Sequence, residues 1–532
     1  MQKQEESGGI TVDNSAAEMH TTIYSISESP KNGKVIWAGT DDGNLQLTKD
    51  GGATWNNVAG NITGLPKDNW VSWVEASRFD AATAYATIDR HSFGDMGTYL
   101  YRTADYGKTW TPLVSPQTAA VRGYAHVVRE DALSRNLLFL GTEFGLWVSV
   151  DAGHSWAALR PGNFPAVAVR DMVVQNRDND LVVASHGRGI WIVDDVSPLR
   201  SLSTQTLGSD VTFLAGRPVQ QRIQANGGWP EGDAAYTGDN PPDGAVISYY
   251  LRSRQVIGKL TLDILDPSGT VVDSIAPGKR KGLNRVAWTM RTKPPQVPPA
   301  AQIAGNATQG PRFLPGTYAV RLSSAGKVYT MPLTVGLDRR ATYSIQDRKA
   351  QFDQANRVKD IFKRMTLLVG QIAALRSQAA STTQKLAPAE PLRLQLTQFS
   401  DRADVLRKLL VATKEGGAIT GEERLRERTA DVYGAIMAVE GAPTQYAVAR
   451  VVVVDRELTD VEKSFATLTA SDLPPLNEKL KAQSLPQLTV ARIASEVDVA
   501  RGGAVETLFG ALVGSRFRFS SATPTRTLSD DR

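Results

Sequence analysis

Thr48-Lys49-Asp50-Gly51-Gly52-Ala53-Thr54-Trp55 occurs three times in this chain, with small variations. The second copy is Thr103-Ala104-Asp105-Tyr106-Gly107-Lys108-Thr109-Trp110, and the third is Ser149-Val150-Asp151-Ala152-Gly153-His154-Ser155-Trp156. The common form is a hydroxyl residue, Asp two places on, Gly two places further, then a second hydroxyl and Trp. The three Asp lie 55 and 46 residues apart, a spacing that marks a repeat architecture. The chemistry of the box is local. A short carboxylate accepts backbone N–H groups of a tight turn, Gly supplies a conformation costly for other residues, and Trp offers a large apolar plug between neighbouring units. Asp50, Gly52, Trp55, Asp105, Gly107, Trp110, Asp151, Gly153 and Trp156 are therefore read as structural.

Working outward, each box follows an alternating strand that starts near a small turn, such as Gly39-Thr40-Asp41-Asp42-Gly43 or Gly141-Thr142-Glu143-Phe144-Gly145. A fourth unit keeps the turn, Ala184-Ser185-His186-Gly187-Arg188-Gly189, and lacks the box. Four units of about 45 residues fill 22–200, and propellers close with about four to eight such blades.

These units resemble the Asp-box, or BNR, repeat of β-propellers. Glu5-Glu6-Ser7-Gly8-Gly9 and Glu18-Met19-His20-Thr21-Thr22, together with Ser185-His186-Gly187-Arg188-Gly189-Ile190-Trp191-Ile192-Val193, resemble segments of large bacterial proteins labelled "glycosyl hydrolase" or "sortilin-like". The resemblance implies an extracytoplasmic location and a longer propeller, of which this chain is the C-terminal half. It also implies an open arc completed by missing N-terminal blades, and a peptide or glycan ligand. Glycoside hydrolysis is the alternative.

The remaining organisation follows from periodicity. Residues 1–21 read as an inter-blade segment and 22–200 as the propeller. Residues 211–338 carry period-two strands such as Lys259-Leu260-Thr261-Leu262-Asp263-Ile264-Leu265, as expected of an immunoglobulin- or fibronectin-like sandwich. Residues 342–485 carry Val358, Ile361, Phe362, Met365, Leu368, Val369, Ile372 and Leu375 at helical spacing, a helical bundle in which Pro474-Pro475 marks a turn. The tail 486–532 matches no packed element. The fold class is thus multidomain and mainly β, with a helical bundle behind.

Composition narrows the function. Hydrophobic residues make up 41% and charged residues 22% of 532, so the chain can build packed cores. Cysteine is absent, which removes disulfides, thiolate metal sites and a Cys nucleophile. No run of 18 apolar residues occurs, so no membrane span is expected. The net charge of +5 is uneven: residues 1–200 hold 17 Lys+Arg against 23 Asp+Glu. The basic remainder has no interleaved aromatics, so no nucleic-acid site is expected. Neither a metal site nor a cofactor site is expected; His pairs at ligand spacing, phosphate loops and dinucleotide fingerprints are all missing.

Candidate site residues come from comparing the repeats. In a propeller blade the second-to-third strand loops lie on one face and the box turns on the other. The boxes repeat, whereas the opposite loops differ: Asp41 and Asp42, then Asp89, Arg90 and His91 with Asp95, then Glu143, then His186 and Arg188. Trp70, Trp73 and Phe144 could add stacking surfaces. Two carboxylates across a groove are the requirement for glycoside hydrolysis, and Asp42, Asp89 and Glu143 are the candidates. Arg90, Arg122, Arg170 and Arg188 are candidates for holding a ligand carboxylate.

Overall fold

The computed structural model describes residues 22–65, 69–117, 120–223, 238, 240–256, 258–416 and 420–491. Segment 1–21 and the tail from 492 onward lie outside the described residues. The chain divides into two compact units, Met1–Thr292 with Arg312–Ile345, and Lys293–Pro311 with Gln346–Arg532.

The first unit opens with four consecutive antiparallel meanders. Strands β1 (Ile23–Ser29), β2 (Asn32–Thr40), β3 (Leu45–Thr48) and β4 (Asn56–Asn57) form the first sheet. Strands β5 (Trp70–Ala76), β6 (Ala84–Asp89), β7 (Tyr99–Thr103) and β8 (Thr111–Val114) form the second. The third holds β9 (Ala125–Glu130), β10 (Leu138–Thr142), β11 (Gly145–Ser149) and β12 (Ala157–Ala158). The fourth has three strands, β13 (Val169–Gln175), β14 (Asp180–Ser185) and β15 (Ile190–Val193). The first strands pack in succession, β1 on β5, β5 on β9 and β9 on β13, which is propeller geometry. Burial follows: β6 and β10 are buried at every residue because both of their faces are covered by blades.

Blade-to-blade contacts are polar as well as apolar. The Ser25 and Ser27 hydroxyls accept N–H bonds from Val74 (2.8 Å) and Ala76 (2.9 Å) of the next blade. Buried Glu130 accepts from Ser77 Oγ (2.8 Å), Arg78 N (2.7 Å) and Tyr85 Oη (2.9 Å). Gly141 was read from sequence as part of a turn; it lies in β10, where an added Cβ would come 2.7 Å from the Val169 carbonyl of the next blade. Its smallness lets two blades approach.

The boxes join third to fourth strands as expected. Asp151 accepts Ser149 Oγ (2.7 Å), Ser155 N (2.9 Å) and Ser155 Oγ (2.5 Å), and the same pattern surrounds Asp50 and Asp105. Hydrogen bonds from Thr54 hold the Asp50 carboxyl well below the usual carboxylate range. Asp151→Ala is expected to lower stability by about 1–3 kcal/mol, since turn donors lose their acceptor. A denaturation curve superimposable on wild type would refute the staple role.

The Trp of the box behaves as a plug at two copies and not at the third. Trp156 is 8% exposed and packs with Tyr85, Leu100 and Val114 of the preceding blade. Trp110 stands edge-on to Trp37 of the preceding blade, with centroids 6.0 Å apart. Trp55 is 42% exposed. The glycines agree: Gly153 sits against Leu113 of the preceding blade, while Gly52 meets only its own Trp55. The plug needs a preceding blade, and the first described blade has none beside its box. Large apolar side chains face solvent on the outer sides of both end blades, among them Ile26 (64% exposed) and Ile192 (61% exposed).

Two sheets follow in the same unit. One joins Val211–Leu214, Ala245–Leu251 and Gly282–Trp288; the other has five strands, including Leu260–Leu265, Gly316–Ser324 and Lys327–Leu337. Their inner faces share one core around Ile247, Tyr249, Trp288, Leu262 and Val320, a sandwich.

The second unit is helical, with Ile345–Thr383, Pro391–Leu410, Leu425–Met437 and Gln445–Ala482. Its core contains every member of the Val358–Leu375 stripe. The Lys293–Pro311 segment, placed by sequence with the sandwich, groups with these helices. Pro474 and Pro475 lie inside the last helix and do not form a turn. Each removes an amide donor, and burial of Leu473, Leu476 and Leu480 around them offsets that loss. No helix among the described residues is long and apolar enough to cross a membrane.

Candidate functional site

The turns after β2, β6, β10 and β14 share the end of the blades opposite the boxes. Their residues separate into two groups. Asp41 accepts Thr22 N at 2.8 Å and so ties the turn to the start of β1, while Asp42 accepts Thr40 Oγ1 (2.5 Å) and Asn44 Nδ2 (2.8 Å) and braces its own turn. Arg90 is drawn away to Asp95 (3.0 Å) and Asn69, over the Phe93 ring. His186, Arg188 and Phe144 are exposed, and Arg188 contributes a backbone carbonyl to Trp191 Nε1 at 2.9 Å.

The others converge. A cavity of about 230 Å³ is lined by Tyr24, Trp70, Ser72, Trp73, Asp89, His126 and Arg170. These come from all four blades, chiefly from the first strands, whose ends meet here. Asp89 closes β6 and is only 1% exposed, so it is not the open loop residue that sequence suggested. Its Oδ1 accepts the His91 N–H at 2.9 Å and meets His91 Nδ1 at 2.7 Å. His91 stacks on Tyr124 with centroids 4.5 Å apart, and Tyr124 stands edge-on to His126 at 5.0 Å.

Glu143 joins this cluster through His126. His126 Nε2 lies 3.0 Å from Glu143 Oε2, and Arg170 Nη1 lies 3.3 Å from His126 Nδ1. The partners define the tautomer: Nε2–H donates to the carboxylate and bare Nδ1 accepts from the guanidinium. Burial would raise the Glu143 carboxyl, but hydrogen bonds from His126 and Tyr124, with the Arg170 charge, outweigh it and hold the group below its ordinary range. Burial, with Arg170 adding to it, depresses the His126 imidazole below 6.5 against the pull of Glu143 and Asp89. Sequence comparison missed Tyr24, Tyr124 and His126, because they stand in or beside strands and form no repeated motif. Arg170 was found there only as one of four arginines.

The depressed imidazole sets a pH dependence. The unfolded chain takes up a proton on this residue near 6.5, before the folded one does. Its contribution to stability is therefore complete above pH 6.5 and is lost as pH falls toward the folded value. His126→Gln is expected to flatten the stability profile just below pH 6.5 and to leave the lower carboxylate limb intact. An unchanged slope in that window, measured by urea denaturation, would exclude it.

Two polar atoms beside the cavity are unsatisfied. Asp89 Oδ2, an acceptor, and Trp70 Nε1, a donor, are buried and have no hydrogen-bond partner among the described residues. The two residues are direct cross-strand neighbours on β6 and β5. Among the described residues no group of three or more His, Asp or Glu could hold a metal ion.

No protein-family profile and no curated protein matches the chain. Solved structures are similar to parts of it. YCF48 bound to D1 peptide is 19% identical over 33% of this chain and 52% of that one, with a TM-score of 0.25. An ancestral GH74 enzyme is 10% identical over 59% and 40%, at 0.27. PorZ, a surface component of the type-IX secretion system of Porphyromonas gingivalis, is 15% identical over 58% and 51%, at 0.21. This chain thus spans about half the length of each or less. Scores this low carry no argument about function, and the propeller is recognised from its own strand order and blade packing.

Proposed function

We propose that this protein is an extracytoplasmic binding module that recognises a glycan in the cavity formed by the first strands of its blades. The unsatisfied pair of Asp89 and Trp70 carries this reading. A hydroxyl group is donor and acceptor at once, so a sugar hydroxyl is the group that would complement an unpaired acceptor and an unpaired donor on cross-strand neighbours. The rings of Tyr24, Trp70 and Trp73 border the same space and suit the apolar face of a sugar. Arg170 adds a cation for an acidic substituent. A peptide bearing hydroxyl side chains is the competing ligand. Glycan-array screening followed by titration calorimetry tests the proposal. Saturable binding of a glycan that is lost in Arg170→Ala supports it; binding to peptides alone overturns the glycan assignment.

Glycoside hydrolysis is less well supported. It needs one carboxyl raised enough to donate a proton near neutrality, and Glu143 is shifted the other way. Asp42 is engaged in its own turn. Further blades completing the arc belong to the same proposal. Exposed Trp55, the vacant side of Gly52 and the outward apolar residues Ile26, Ile190 and Ile192 support them. An upstream reading frame that continues in phase with more Asp-boxes is the expected finding.

A further inference from the structure

A second cavity, of about 480 Å³, lies within the first unit where the last blade meets the sandwich. Five arginines line it, Arg177, Arg217, Arg222, Arg285 and Arg339, against three carboxylates, Asp178, Asp194 and Asp195. Most of these charges are already paired. Asp178 is shared by Arg177 (2.9 Å) and Arg339 (3.0 Å). Asp195 accepts the backbone N–H groups of Arg217 (3.0 Å) and Ser197 (3.1 Å). The Arg217 guanidinium turns to Asp180 at 3.2 Å.

Two cations are left. Arg285 gives one N–H to the Asp194 backbone carbonyl at 2.8 Å, a contact that neutralises nothing. The Arg222 guanidinium, half-buried, has no hydrogen bond or ion pair with the described residues. Asp194 lies near both, and burial together with neighbouring Asp180 pushes its carboxyl up against the pull of the arginines. The cavity therefore has spare guanidinium donors. Val219, Val246 and Ala287 give it an apolar wall. Its volume lies in the range of small-molecule pockets, about 300–1,000 Å³.

We propose that this cavity binds a small organic anion, a carboxylate or phosphate monoester on an apolar body, with Arg222 and Arg285 gripping the anionic group. A planar guanidinium presents paired donors that match either oxyanion. An unpaired, partly desolvated cation is costly, and a bound anion relieves it. The site is separate from the Asp89 cavity, and neither reading depends on the other.

Titration calorimetry of the full chain at low salt, with phenyl phosphate, benzoate, inorganic phosphate and benzyl alcohol, is the test. Saturable one-site binding is expected for phenyl phosphate or benzoate, and the tighter of the two identifies the source of the oxyanion. Benzyl alcohol, lacking charge, is expected not to bind. Arg222→Gln and Arg285→Gln should each weaken binding about tenfold or more, charged pairs being the strong ones. Asp194→Asn should tighten it, by removing the competing carboxylate, an effect that a merely structural arginine cluster does not predict. Melting curves establish that each variant folds, and exposed Arg285 is the safeguard if Arg222→Gln does not. No saturation by either organic anion up to about 10 mM, a concentration well above ordinary ligand-site affinities, overturns the proposal. So does unchanged affinity in a folded Arg variant. Inorganic phosphate binding as tightly as phenyl phosphate overturns the apolar part.

Discussion

Asp131→Ala is expected to destabilise the first unit by about 3–5 kcal/mol, the range for breaking a buried ion pair from one side. Asp131 follows β9 and is fully buried. It receives Arg200 twice, through Nε and Nη2, each at 2.8 Å, and the backbone N–H groups of Leu133 and Ser134, each at 2.9 Å. Arg200 ends the short helix Ser197–Arg200 that follows the fourth blade. One carboxylate thus ties the third blade to the segment leaving the fourth. Removing it takes the carboxylate from the Arg200 guanidinium, which keeps only Asn179 and Ser197 at Nη1, and leaves two amide donors without their acceptor. All ten Trp precede residue 293, and none lies in the helical segments of the second unit, so Trp fluorescence during urea denaturation reads the first unit alone. A shift below about 1 kcal/mol would mean that water replaces the bridge and that the tether is dispensable.

Asp89→Asn is expected to weaken glycan binding about ten- to a hundredfold with little change in melting. The substitution keeps the size of the side chain and an acceptor for the His91 N–H. It places an NH₂ donor where Oδ2 stood, so Trp70 Nε1 and the new group are both donors. A ligand hydroxyl can then accept from both but has nothing to donate to. Asp89→Ala is a poorer probe, because Asp89 is buried and holds His91, and that variant should lose stability as well as binding. Calorimetric affinity and melting temperature measured on the same preparation separate the two effects. Wild-type affinity in Asp89→Asn would show that the unsatisfied pair does not meet the ligand.

The sequence alone determined those features whose physics is local. Each box closes through hydrogen bonds spanning two and four residues, so the letters that make it are adjacent and repeat visibly. The same holds for the period-two strands and the Val358–Leu375 stripe, where burial acts on one element's own face. Pro474-Pro475 reads locally as a turn, and the core around Leu473 and Leu476 overrides that propensity. The tertiary structure decided the site. Tyr24, Asp89, His126 and Arg170 come from four different blades, and each is set by where its strand ends against the next. Their pairing is long-range, as with Arg170 and His126, 44 residues apart, and no spacing rule links them. Structure likewise distinguished Trp55 from its two counterparts. The motif is the same in all three, and what differs is whether a neighbouring blade stands there to cover it.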